Sequence, residues 1–336
     1  MRVLAVLAAT CALLACRTRD SDGTATATGS DSGSAVPVVT GMPRTLQLEP
    51  GKVTMKAPPI ELPKQELFEL LDAGKGARQA MRYKLAPGEV EHGVETRIET
   101  RQLDPATGKL GGKLALPAIR DGFAIIAPPS PKEPLLVRAL AAELDGKPTP
   151  VAEQYVAAWR AKLQNRRIDV TLDERGQLGP IVFKDDPDHQ RSAAAKDELV
   201  QRLLAVTIPL PDKPIAVGAR WQVKTVLRQG AAYVKQTADY TLLGRTATRW
   251  KLHVKLLRVA EEQTIVDPAL PRGASVELLG MFKQLEGDVE LDPRRPLIAA
   301  GTYTVESRTH AKLKLPGKPT TEQYVEDLGT ITFRTK

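Results

Sequence analysis

Cysteine is almost missing from this chain. Of 336 residues only two are Cys, Cys11 and Cys16, and both lie in the first sixteen positions. Everything downstream is therefore without a free thiol or a disulfide, and its stability has to come from packing and strand pairing. Aromatic residues are scarce at 4%, which suits a broad sheet better than a pocket lined with rings. No apolar run after residue 16 is long enough to span a bilayer. The motifs of common catalysts are also missing: no G-x-S-x-G elbow, no H-E-x-x-H, no phosphate loop ending in Gly-Lys-Ser/Thr, and no G-x-G-x-x-G after a strand. These absences exclude a membrane-spanning helix in the body and leave an enzyme without a sequence signature.

At the N-terminus there is more to read. Arg2, an apolar stretch from Val3 to Ala15, small Ala15 at the cut point and then Cys16 make a secretory signal too short to cross a membrane. With Leu13 and Leu14 before Ala15 and Cys16, the segment resembles the lipobox of bacterial lipoproteins. Leu14 departs from it, since a smaller residue is more usual there. The resemblance implies cleavage between Ala15 and Cys16 and lipidation of the Cys16 thiol, so that the N-terminal lipid is the membrane anchor. Arg17, where that family uses Asp for inner-membrane retention, implies the periplasmic face of the outer membrane over the inner.

Residues 17–45 are small and polar, running Arg-Thr-Arg-Asp-Ser-Asp-Gly and onward to Thr45. They cannot bury enough apolar surface to repay ordering. As a Gly/Ser/Thr-rich tether they reach roughly 30 Å, enough to clear a headgroup layer. The expected organisation is a signal peptide at 1–15, Cys16 with the tether at 16–45, and a β-rich body at 46–336.

Within the body, Leu46–Pro63 is Pro-rich and is expected to run extended. Glu66–Asp72 and Gln79–Ala86 flank Ala73-Gly74-Lys75-Gly76 as a hairpin. Over Glu89–Leu103, Val94, Thr96, Ile98 and Thr100 alternate with Glu95, Arg97, Glu99 and Arg101, the period of a half-solvated strand. Further strands are expected near Lys113–Ile119, Phe123–Ala127, Arg167–Asp173, Gly179–Lys184, Arg220–Arg228, Ala232–Leu243, Arg249–Val259, Phe282–Leu291, Gly301–Leu315 and Thr321–Arg334. Two stretches have helical spacing: one after Pro150, with Thr149 as cap and Tyr155, Val156 and Trp159 on its apolar side, and one from Ser192 to Val206, ended by Pro209 and Pro211. The fold expected is α+β and β-rich: a large, mostly antiparallel curved sheet with one or two packing helices, or two lobes at 46–188 and 211–336 joined by a helix at 189–206. Arg82-Tyr83-Lys84-Leu85 with Pro87-Gly88, and Leu210-Pro211 leading to Val217-Gly218-Ala219-Arg220-Trp221, resemble uncharacterised families of β-rich envelope lipoproteins. That resemblance implies a fold and an address, and no active site.

The net charge of +8 turns attention to anionic partners. Nucleic acid is the poorest of them, because basic and acidic residues are interspersed and no nucleic-acid-binding motif occurs. Lys251, His253 and Lys255 share one face of a strand, and Arg308, His310, Lys312 and Lys314 share one face of another. If those strands are neighbours their cations converge on a face for anionic lipid or envelope glycan. His92 is expected to be a solvated strand residue. Asp185, Asp186, Asp188 and His189 form an oxygen-rich turn without full Ca²⁺-loop spacing, and Ser275 precedes a strand without a partnering His nearby in sequence. No cofactor and no metal are expected. The leading expectation is a non-enzymatic binding or structural module. The alternatives are an acyl-chain carrier built on a half-barrel groove, and a hydrolase using Asp185, Asp188 or His189.

Overall fold

The computed structural model describes residues 67–104, 107–130, 133–162, 167–183, 199, 201–229, 232–265 and 272–335. The signal segment, Cys16, residues 17–45, Leu46–Pro63 and the Asp185–His189 cluster lie outside the described residues. The strands are β1 (Leu67–Asp72), β2 (Gly88–Asp104), β3 (Lys109–Leu110), β4 (Leu114–Ala115), β5 (Ala118–Ala127), β6 (Leu135–Ala139), β7 (Glu143–Asp145), β8 (Arg167–Leu172), β9 (Leu178–Phe183), β10 (Arg220–Gln229), β11 (Ala232–Arg245), β12 (Trp250–Ala260), β13 (Gln263–Ile265), β14 (Ser275–Leu291), β15 (Ile298–Lys314) and β16 (Thr321–Thr335), with helix α1 (Pro150–Lys162) between β7 and β8.

These strands form one open antiparallel sheet, in the order β1-β10-β11-β12-β14-β15-β16-β2-β5-β6-β8-β9, with β3, β4, β7 and β13 paired at its sides. Segments from the two ends of the chain interleave, since β1 pairs β10 and β16 pairs β2. Of the expected pair of architectures, the single large sheet is the one formed. Residues 67–86 do not make a hairpin. Gly74 turns with φ 78°, and a Cβ there would lie 2.4 Å from the Ala216 carbonyl oxygen. The turn instead docks on the backbone of residues 215–217, with Lys75 N–H donating to Val217 and Gln79 N–H to Ile215. Two-residue alternation identifies a strand but carries no information about its partner.

Apolar residues at every second position make one face of the sheet a core, and helices cover it. Thr149 caps α1, its hydroxyl accepting from the Ala152 amide at 3.3 Å. The helix buries Val156 and Trp159 against the sheet, with Phe123 of β5 beside the indole. A second helical stretch at 201–206 buries Leu203 and Val206 and closes where Thr207 donates to Leu203, before Pro209 forbids another turn. Consecutive residues of that stretch reach both ends of a long span: Gln201 accepts from Arg258 of β12, and Arg202 donates to Asp121 of β5. Those strands are five steps apart, about 24 Å in a flat sheet, so the sheet curls around the helix.

The two resembling segments turn out to be one latch. Arg82 donates to the carbonyls of Met81, Pro211 and Asp212, the buried Tyr83 hydroxyl to Ile208, and the Trp221 indole to Pro209. Their side chains hold the strap after the second helix against the sheet, a structural role.

Candidate functional site

Most inward positions are apolar, but one row is not. In cross-strand register, Thr225 of β10 faces Gln236 of β11, which faces Arg258 of β12; next come Lys283 of β14, Ser307 of β15, Asp327 of β16 and Thr100 of β2. The row crosses seven adjacent strands on the helix-covered face. On one side of it lies the main core, including Ala238, Leu256, Leu285 and Val305; on the other lies a smaller cluster, including Val234, Ala260 and Met281.

Arg258 is 4% exposed. Its Nε donates to Gln236 Oε1 at 2.8 Å, Nη2 to the Gln201 carbonyl at 3.0 Å, and Nη1 to Gln201 Oε1 at 3.4 Å, all neutral acceptors. Burial lowers its pKa to about 10, still charged at neutral pH. Beside it Lys283 is half-buried and makes no hydrogen bond or close ion pair among the described residues. Its pKa is pushed down to about 8, chiefly by burial and then by Arg258, with Asp327 acting in the opposite direction. Ser307 donates to Asp327 Oδ2 at 3.0 Å. Burial raises the Asp327 pKa, while the Thr100 hydroxyl lies near enough to favour its charged form without closing a well-formed hydrogen bond. Asp327 Oδ1, Thr100 Oγ1 and Thr225 Oγ1 are buried without hydrogen-bond partners.

Nearby, Asp121 ties the two helices to the sheet. It accepts from the Tyr155 hydroxyl of α1 at 2.9 Å and from Arg202 at 3.1 and 3.3 Å, and Arg202 also donates to Tyr155 and lies 4.2 Å from the centre of the Trp159 ring. This pair is internally compensated, whereas the row holds two cations and one carboxylate.

The basic residues singled out from the sequence all point to the other, outer face. Lys251, His253 and Lys255 of β12 and Arg308, His310, Lys312 and Lys314 of β15 share that face, but β14 runs between their strands. Lys255 is level with Thr304 through Glu286, whereas Arg308 is level with Val259 through Phe282. Four residues of offset plus two strand spacings leave the nearest ends of the clusters about 17 Å apart, so they do not converge. Acids interleave them. Lys251 pairs with Asp288 at 3.4 Å, His253 with Asp288 at 2.9 Å, Lys255 with Glu286 at 3.5 Å, Arg308 with Glu306 at 2.7 Å and Glu326 at 3.2 Å, His310 with Glu322 at 2.6 Å, and Lys314 with Glu277. Lys312 stands in register between Glu277 and Glu322. The His253 hydrogen bond, ahead of Lys251, holds the Asp288 carboxyl below its ordinary range.

His92 is not solvated. It is 1% exposed, stacked on Phe333, with Nδ1 3.4 Å from the Thr335 hydroxyl, and burial lowers its pKa to about 4. It sits at an inward position of β2, where the stretch holding Val90, Val94 and Thr96 continues the apolar side, and that parity was readable. Ser275 is the first residue of β14. Among the described residues no group of three His, Cys, Asp or Glu could hold a metal ion. The inner row was missed by sequence reasoning although parity marks it: Arg258 follows Leu252, Val254 and Leu256 at two-residue steps, and Gln236 lies between Val234 and Ala238. No family model matches the chain, and no curated protein matches it significantly.

Proposed function

We propose that this chain is a lipid-anchored protein of the bacterial envelope whose body is a non-enzymatic binding or structural module. The observation that carries this reading is the filled inner face: Val156, Trp159, Leu199, Leu203 and Val206 are all buried in the main core with the sheet. An acyl-chain carrier needs that face open and apolar. The outer face, with cations and acids alternating across β12, β14, β15 and β16, is suited to staying soluble and to discouraging sheet-to-sheet association. Anchoring rests on the lipobox resemblance and the tether. One acyl chain holds a protein only marginally, at about 0.8 kcal/mol per buried CH₂, whereas two or three hold it firmly. Cys16→Ser should move the protein from the membrane fraction to the soluble periplasmic fraction. A variant that stays in the membrane, with no lipid on the wild-type N-terminal peptide by mass spectrometry, overturns the assignment.

A further inference from the structure

We propose that the inner-face row around Arg258 and Lys283 is a binding site for a singly charged carboxylate. The inference stands on the inner face alone and is independent of anchoring through Cys16. Charge comes first: Arg258 and Lys283 are adjacent in register, and the carboxylate within the row is Asp327, on the far side of Ser307. Every hydrogen-bond acceptor of Arg258 is neutral, and Lys283 has none among the described residues. Buried cations ordinarily meet a carboxylate or another anion, because an unpaired charge away from water is costly. Among the described residues the row therefore lacks about one negative charge, which matches a monoanion better than a doubly charged phosphate.

The donors fit the same ligand. A guanidinium and an ammonium side by side offer charge-assisted hydrogen bonds to two oxygens of one carboxylate. Half-burial of Lys283 leaves the row within reach of solvent. Residues at the next inward positions, Leu256 and Leu285 on one side and Ala260 and Met281 on the other, are apolar and bring no competing charge. The carboxylate can belong to a small free acid, or to the head of an amphiphile whose chain stays outside the filled inner face.

The test uses the full chain carrying Cys16→Ser, with acetate and decanoate as probes, the latter below its micelle concentration. Two readouts are followed: the thermal midpoint, and the ¹³C signal of reductively methylated Lys283. Saturating probe is expected to raise the midpoint by several degrees and to shift the Lys283 signal. Lys283→Met should weaken binding at least tenfold, while Lys312→Met, on the outer face, leaves it unchanged. A response to both probes identifies the free carboxylate as sufficient, and a response to decanoate alone identifies an amphiphile head. The proposal is overturned if neither probe moves the midpoint or the signal, or if Lys283→Met binds as the wild type does. Should Lys283→Met fail to fold, the signal in the unmutated side chain still decides.

Discussion

Asp121→Asn tests how the helices are held inside the curled sheet. The carboxylate's side chain is 2% exposed and that of Arg202 is 23% exposed. Removing one partner from a fully buried ion pair costs about 3–5 kcal/mol, and from an exposed pair less than about 1 kcal/mol. Arg202 lies between these limits because its side chain is partly open to water. Asn also keeps an oxygen that can accept from Tyr155, now at 2.9 Å from the carboxylate. A loss of about 2–3 kcal/mol is expected, equivalent to roughly 4–12 °C in thermal midpoint for a body of this size. Urea unfolding of the wild type, Asp121→Asn, Arg202→Met and the double variant gives the coupling directly. About 1–2 kcal/mol of coupling is expected, since the stacking of Arg202 on Trp159 survives the first substitution and is lost in the second. A single-variant loss below about 0.5 kcal/mol with no coupling would refute the argument that this pair fastens α1 and the 201–206 stretch to β5.

His92 should make stability fall with acid: its folded-state pKa of about 4 lies below the ordinary 6.5, so the unfolded chain binds more protons between those values. Stability is then complete above about pH 6.5 and declines toward pH 4, by up to about 3 kcal/mol; His92→Gln should lose less over that window in urea titrations, and parallel curves would reject the assignment. Gly329→Ala would place a Cβ 2.0 Å from the Arg97 carbonyl oxygen, whereas one at Gly244 meets nothing within 4 Å. The first should cost about 1–3 kcal/mol through strand displacement and the second little, so equal thermal midpoints would show that β16 and β2 can separate at no cost. On the outer face, the interleaved acids predict weak vesicle binding. Lys312→Glu with Lys314→Glu should abolish what low-salt binding to anionic vesicles exists, at a cost of about 1–2 kcal/mol in stability because the new carboxylates face Glu277 and Glu322. Strong binding that survives the reversal would show that these cations are not its source.

The sequence alone determined where most strands run and which residues on each look inward. Alternation has a period of two and is complete within each strand, so β2, β8, β10, β11, β12, β15 and β16 were legible almost to their ends, as was the capped start of α1. Short β6, β7 and β13 were not, because three to five residues hold too few alternations to stand out. Partnership was decided only in three dimensions. β1 joins β10 across more than a hundred residues and β2 joins β16 at the other end of the chain, while the local hairpin suggested by Gly74 and Gly76 does not form. The same distinction governs the candidate sites. That Lys251 and Lys314 face outward follows from local parity, but β14 and its acids between them follow from sheet order. Arg258, Lys283 and Asp327 are far apart in sequence and become neighbours through strand register, a property of hydrogen bonding between segments that no segment contains by itself.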